Sequence, residues 1–295
     1  MWLLLASVLA ALAAWQALQL RQQARRDAWL NDELAQRAQP PLASAGCTSD
    51  DSAPLKLLVL GQSNAGNHGP SVGGRSEQSQ VQMQLGGACV AVQDPLPGAS
   101  GNGASIWSQL PEKLRQDGLK RTPRIALLAI QSTTIEDWAR PSSPLNQALR
   151  QELKALSAAA WVPDMVLWQQ GEADVLSGTS SAAYIRSWEH LLRQLKEAGV
   201  HAPVLLARST HCQLAQAIGT ESKSQALAVN AATIRGALQT LAQQHDQLQL
   251  GPDTDALADL TLRRDGCHFS TKGLDAAAQL WSEAIVAKLH PKQAQ

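Results

Sequence analysis

The sequence predicts a three-layer α/β/α sandwich around a central, mostly parallel five-stranded sheet, preceded by an N-terminal membrane helix. Three observations predict it. Short apolar runs bounded by Gly, Pro or polar residues recur at 55–60, 88–92, 124–130, 163–168 and 203–207, as buried strands do. Helical stretches lie between or after most of them, at 105–117, 144–158, 181–198, 222–244 and 271–289. Strands alternating with helices imply a parallel sheet covered on both faces. Finally, residues 2–20, WLLLASVLAALAAWQALQL, contain no charged side chain, and about 20 apolar residues span a bilayer as a helix.

Taken in order, residues 1–20 read as a signal-anchor, since neither a basic n-region nor a clear small-residue cleavage site marks a removable signal. The alternative is a hydrophobic helix packed on the domain. Residues 21–54 read as a helical stalk and a Pro/Ser-rich linker, QPPLASAGCTSDDSAP. Residues 55–291 form the main domain, and the apolar fraction of 44% suffices for its core. Within it, 181–198 carries apolar residues at helical spacing and ends near Gly199. In such sheets ligands bind at the carboxyl ends of the strands, where the loop beginning at Gly61 falls.

Charge and cysteines bound location and partners. Net charge is zero and the basic residues form only one short cluster, so the chain lacks the electrostatic footprint of a nucleic-acid binder. That cluster, Arg21, Arg25 and Arg26, follows the apolar segment, and the positive-inside rule would put it in the cytoplasm. The four cysteines argue for export, because an even number in an exported chain implies disulfides. Of the three possible pairings, Cys47 with Cys89 and Cys212 with Cys267 each tie neighbouring loops; four buried thiols are the alternative. We expect a membrane-anchored protein with its main domain in the periplasm or another extracytoplasmic space. Nine Trp stand against one Tyr and one Phe; tryptophans stack on sugars, but core filling is their commoner use.

Three loops concentrate polar residues: GQSN at 61–64, WQQGEAD at 168–174 and RRDGCHFSTKG at 263–273. In the third, Asp265 and His268 are three residues apart, a spacing at which a carboxylate accepts a hydrogen bond from Nδ1–H and leaves Nε2 free as a base. Ser63, at the end of the first apolar run, is either an ordinary strand exit or the nucleophile of such a pair. The elbow G-x-S-x-G is absent, and D-x-x-H alone is common by chance. There is no metal-ligand cluster, and GNG at 101–103 is too short for a dinucleotide fingerprint.

Together, GQSN, PLPGASGNGASIW at 95–107, WQQGEAD and DGCHFSTKG at 265–273 resemble the SGNH (GDSL-like) hydrolases. The likeness is to the branch of sialate O-acetylesterases and acetyl xylan esterase-like carbohydrate esterases, and covers about residues 55–290. It implies a flavodoxin-like sheet and a triad of Ser63, Asp265 and His268, without cofactor or metal. It also implies an oxyanion hole of Ser63 N–H, Gly103 N–H (Gly101 being the other candidate) and the Gln170 amide. Gln62, Asn64, Gly101, Glu172 and Arg208 are weaker candidates for substrate contact. Relatives often read G-G-T-S-I-x-x-W where this chain has QSTTIEDW at 131–138. That departure falls on the acyl or sugar pocket and leaves the triad untouched. The expected activity is removal of acetyl or another short acyl group from a carbohydrate. The alternatives are an O-acetyltransferase for an envelope polysaccharide and a catalytically silent carbohydrate-binding protein.

Overall fold

In a computed structural model, which describes residues 2–39, 45–47, 53–71, 80–213 and 221–290 but not the side chains of residues 2–10, strands and helices alternate along the chain. They are α1 (Trp2–Gln36), β1 (Ala45–Gly46), β2 (Leu55–Gly61), β3 (Val81–Leu85), β4 (Ala88–Val92), α2 (Leu110–Gln116), β5 (Pro123–Ala129), α3 (Ile135–Ala139) and α4 (Pro144–Ala158). There follow β6 (Met165–Gln169), α5 (Glu172–Ser177), α6 (Ser181–Glu197), β7 (Val204–Arg208), α7 (Glu221–Gln244), β8 (Leu248–Asp253) and α8 (Thr271–Leu289). A short 3-10 turn, Ser63–Ala65, follows β2.

The expected five strands all form, but the sheet is wider, with strand order β1-β4-β3-β5-β2-β6-β7-β8. Seven are full strands; β1 is a two-residue edge. The strands from β3 to β8 pair in parallel, while β4 pairs antiparallel with β3 and β1. Two full strands escape the sequence pattern for a physical reason: VQMQL and LQLGPD alternate apolar with polar residues or carry Gly-Pro, as strands near a sheet edge do, and lack a continuous apolar run. Gly86-Gly87 between β3 and β4 is a two-residue hairpin signal, and Gly86 adopts a φ of 54°. That hairpin makes β4 antiparallel.

Alternating side chains of the central strands feed two cores. Leu58, Leu60, Leu128 and Trp168 pack under α1, α4, α6 and α7, whereas Leu57, Val59, Leu127 and Leu167 pack beneath α2 and α8, the latter contributing Trp281. Trp107, Trp138, Trp161, Trp168, Trp188 and Trp281 are core residues, whereas Trp15 is exposed; Trp168 meets Trp188 edge-on at 4.7 Å and Trp138 at 5.3 Å. The connection from β5 to β6 passes over β2, so the strand order switches at β2, and the crevice at its carboxyl end is the place for a site.

The N-terminal expectations need correction. Among the described residues no helix is long and apolar enough to cross a membrane, so the anchor over residues 1–20 is unsupported; Met1 and the side chains of 2–10 lie outside the described residues. Nor do residues 21–36 stand off as a stalk. Leu30 is fully buried in the core, Arg26 makes a two-pronged ion pair with Asp137 (3.0 and 2.5 Å), and Arg140 pairs with Asp27. Burial of an apolar stripe and partly buried ion pairs hold the helix down. Parts of the linker, residues 40–44 and 48–52, lie outside the described residues.

Both disulfides form with the expected pairing, Cys47–Cys89 and Cys212–Cys267. Such bonds belong to an oxidising, extracytoplasmic setting.

Candidate active site

The site is built around the end of β2. Gly61 is a glycine because a Cβ there would collide with the Gln169 carbonyl on β6 and press on Ala65. The chain then enters the 3-10 turn with Ser63 first and nearly buried. The turn is fixed by backbone bonds: Gln62 N–H donates to Gln169 O (3.1 Å), Ala65 N–H to Gln62 O (2.8 Å) and Gly66 N–H to Ser63 O (2.9 Å). Ser63 N–H, at the start of the turn, is one of the donors that a helix end leaves without an intrahelical partner.

The loop before α8 brings Asp265 and His268 together. Asp265 Oδ2 lies 2.7 Å from His268 Nδ1, and its Oδ1 accepts from the backbone N–H of His268 (2.7 Å) and Cys267 (2.9 Å). Burial alone would push the Asp265 carboxyl up; the hydrogen bonds from His268 and Cys267 outweigh it and hold the group below the ordinary aspartate range. Arg263, nearly fully buried, staples the loop from beneath by donating to Leu257 O (2.8 Å), Cys267 O (2.6 Å) and Thr254 O (2.8 Å). Its guanidinium also lies 4.1 Å from the Phe269 ring centre. Asn64 joins the two loops, since its Nδ2 donates both to Cys267 O (3.2 Å) and to Glu172 Oε1 (2.7 Å).

Several sequence candidates sit elsewhere than expected. Gln170 is not a free amide donor: it is fully buried and its Nε2 donates to Thr133 O (2.8 Å) and Asp174 Oδ2 (2.5 Å). The N–H of Gly103 is taken by Asn67 O (2.8 Å). Gly101, with a φ of 88°, lies against the ring of His68 instead. Gln62 and Asn64, both almost fully buried, brace the site; Gln62 Oε1 accepts from Ala173 N–H (3.2 Å) at the start of α5. Arg208 turns to Asp253 (3.6 Å) and Gly251 O (3.4 Å) on β8.

Glu172 is likewise no surface contact. It is fully buried, its Oε1 accepts from Asn64 and from Ser209 Oγ (2.7 Å each), and its Oε2 has no partner. Burial raises its pKa from 4.5 to about 7. The unfolded chain gives up this proton near its ordinary value, so between the two values the folded state binds more protons. Stability therefore falls as pH rises through that window. Glu172→Gln should remove a loss of roughly 3 kcal/mol at most, read as the difference in denaturation midpoint between pH 5 and pH 8. An unchanged slope would show that Glu172 ionises without cost.

Sequence reasoning missed Arg263, which lies within one of the three polar loops, and His68. An arginine two residues before Asp265, in a loop rich in polar residues, is a local signal. The placement of His68 has none.

Against known proteins, a family model described as "Carbohydrate esterase, sialic acid-specific acetylesterase" matches residues 112–287. No curated protein matches the chain. Among solved structures, a protein from Arabidopsis thaliana is similar with a TM-score of 0.60 at 15% identity, covering 79% of this chain and 98% of that one. NanS is similar with a TM-score of 0.54 at 14% identity, covering 80% and 98%. A variant of an acetyl-xylooligosaccharide esterase from Geobacillus has a TM-score of 0.50 at 16% identity, covering 81% and 96%.

Proposed function

We propose that this chain, which belongs to the carbohydrate esterase family of sialic acid-specific acetylesterases and is thus a carboxylic ester hydrolase, removes acetyl or other short acyl groups from a carbohydrate through Ser63, His268 and Asp265. Ser63 Oγ attacks the ester carbonyl as His268 Nε2 takes its proton, and Asp265 holds the imidazole tautomer through Nδ1. The tetrahedral oxyanion accepts hydrogen bonds from Ser63 N–H and Gly101 N–H. Each preorganised donor of this kind contributes roughly 3 kcal/mol to the transition state. His268 then gives its proton to the departing sugar oxygen, and water activated by the same base releases the acyl group as acid.

The observation that carries the reading is the Asp265–His268 pair at 2.7 Å, tied to the Ser63 turn by Asn64. It speaks against a silent binding protein, which has no use for an oriented imidazole. Among the described residues no observation favours the transferase alternative. The test is direct. A fluorophosphonate probe is expected to label Ser63, and the protein to release acetate from acetylated sialic acid or acetylated xylooligosaccharides. Absence of both labelling and acetate release would overturn the reading; acetyl transfer to an added sugar in preference to water would replace hydrolysis by transfer.

A further inference from the structure

His68 lies seven residues after the end of Leu55–Gly61 and meets His268 face to face. The ring centroids are 5.3 Å apart and the planes differ by 23°. The outer edge of the His68 ring is held as well, its Nε2 lying 3.1 Å from Ser100 Oγ. Ser100 is itself fixed. It is almost fully buried, its N–H donates to Ala129 O (2.8 Å), and its Oγ accepts from Gln131 N–H (2.8 Å). Gln131 in turn donates through Nε2 to both carboxylate oxygens of Glu33 on α1 (2.9 and 2.8 Å). A continuous path of contacts therefore runs from α1 through Glu33, Gln131, Ser100 and His68 to the imidazole paired with Asp265.

The segment that supplies Gln131 is the QSTT departure, and its backbone is unusual. Ser132 holds a φ of 53°, a left-handed conformation disfavoured for a residue with a Cβ. Arg26 of α1 donates to the Ser132 carbonyl (2.7 Å), which holds the segment in place. Two backbone bonds between Ala38, just past α1, and the loop of Gly98 and Ala99 (2.9 and 3.0 Å) fix the other side of Ser100.

We propose that His68 is a positioning residue for His268: its ring, pinned by Ser100, closes one face of the catalytic imidazole, keeps Nδ1 in line with Asp265, and supports the imidazolium that forms during turnover. The proposal rests on the reading of Ser63, Asp265 and His268 given above. A neutral aromatic face attracts an adjacent cation, so the ring must stay uncharged while His268 gains its proton. It does: burial first, then the charges of His268 and Arg264, lower the His68 pKa to about 4, with Asp265 opposing. Of the two stacked imidazoles, that of His68 is kept from taking a proton by its burial.

The test compares His68→Ala, which loses both ring and hydrogen bond, with His68→Phe, which keeps the ring face, and His68→Gln, which keeps only the polar end. With p-nitrophenyl acetate, His68→Ala and His68→Gln are expected to lower kcat by roughly 30- to 100-fold, the scale of a misaligned catalytic group, with little change in KM. His68→Phe should recover most of that loss. The ring protons of His268 should shift in proton NMR in the Ala and Gln variants and hold in the Phe variant. Wild-type kcat in either His68→Ala or His68→Gln, beside an inactive Ser63→Ala, would overturn the proposal and leave the esterase reading intact. Wild-type hydrolysis by Ser63→Ala would remove both. Where His68→Ala fails to fold, His68→Gln carries the comparison.

Discussion

Replacing Ser63 by alanine is expected to lower kcat for acetyl ester hydrolysis by about a millionfold, the scale on which a serine hydrolase loses its nucleophile. The fold should survive. The turn that carries Ser63 is held by backbone bonds from Gln62, Ala65 and Gly66, by the Gln62 side chain on α5 and by Asn64 on Glu172 and Cys267. None of these uses the Ser63 hydroxyl, so thermal denaturation of the variant should match wild type closely. Phosphonate labelling and acetate release should vanish together. A variant that keeps hydrolysis at the wild-type rate would show that Ser63 is only a strand exit, and the triad would need another nucleophile.

The second large effect is expected at the Cys212–Cys267 disulfide. Its cysteines are 55 residues apart in sequence, and closing a loop of that length is worth roughly 4 kcal/mol in the chain-entropy picture. Its place gives it a further consequence. Cys267 immediately precedes His268, its carbonyl accepts from Asn64 and Arg263, and its N–H donates to Asp265. Beside the bridge, Gln213 N–H donates to Gly266 O (2.9 Å). Removing the bridge therefore frees the strand-end loop after β7 from the loop that orients the imidazole. Cys212→Ala with Cys267→Ala is expected to lower the denaturation midpoint in line with that energy and to reduce kcat as well. Reduction of the wild type with dithiothreitol, which opens Cys47–Cys89 as well, should cost at least as much stability and lower kcat too. Unchanged stability and unchanged kcat would show that the loops hold each other without the bond.

How much of this is legible in the sequence follows from which interactions are local. The Asp265–His268 pair is a three-residue spacing in one turn, and the structure closes it at 2.7 Å. The buried strands announce themselves as continuous apolar runs, whereas β3 and β8 alternate and escape notice. The disulfide pairing was also within reach, because each bond joins loops that the strand pattern already brings near one another.

The failures share a cause. Gln170 and Gly103 have the right residue type in the right motif, yet each has its donors committed, Gln170 to Thr133 and Asp174, Gly103 to Asn67. Hydrogen-bond saturation depends on partners 4 to 37 residues away, and a motif does not record them. Glu172 looks like a polar loop residue but is a fully buried brace under Asn64. The apolar N-terminal segment has the composition of a span, whereas the helix that continues it buries Leu30 and pairs Arg26 with Asp137.

By itself, then, the sequence determined the layered α/β fold, the family and the identity of the residues proposed for the chemistry, because periodicity, turn spacing and loop motifs are properties of short stretches of chain. The tertiary structure decided which of those polar groups are free to act and which are spent on the scaffold. It also set His68 against His268 and docked α1 behind Gln131. These outcomes depend on which atoms of distant segments come within hydrogen-bonding or stacking distance, and only the packed chain brings them there.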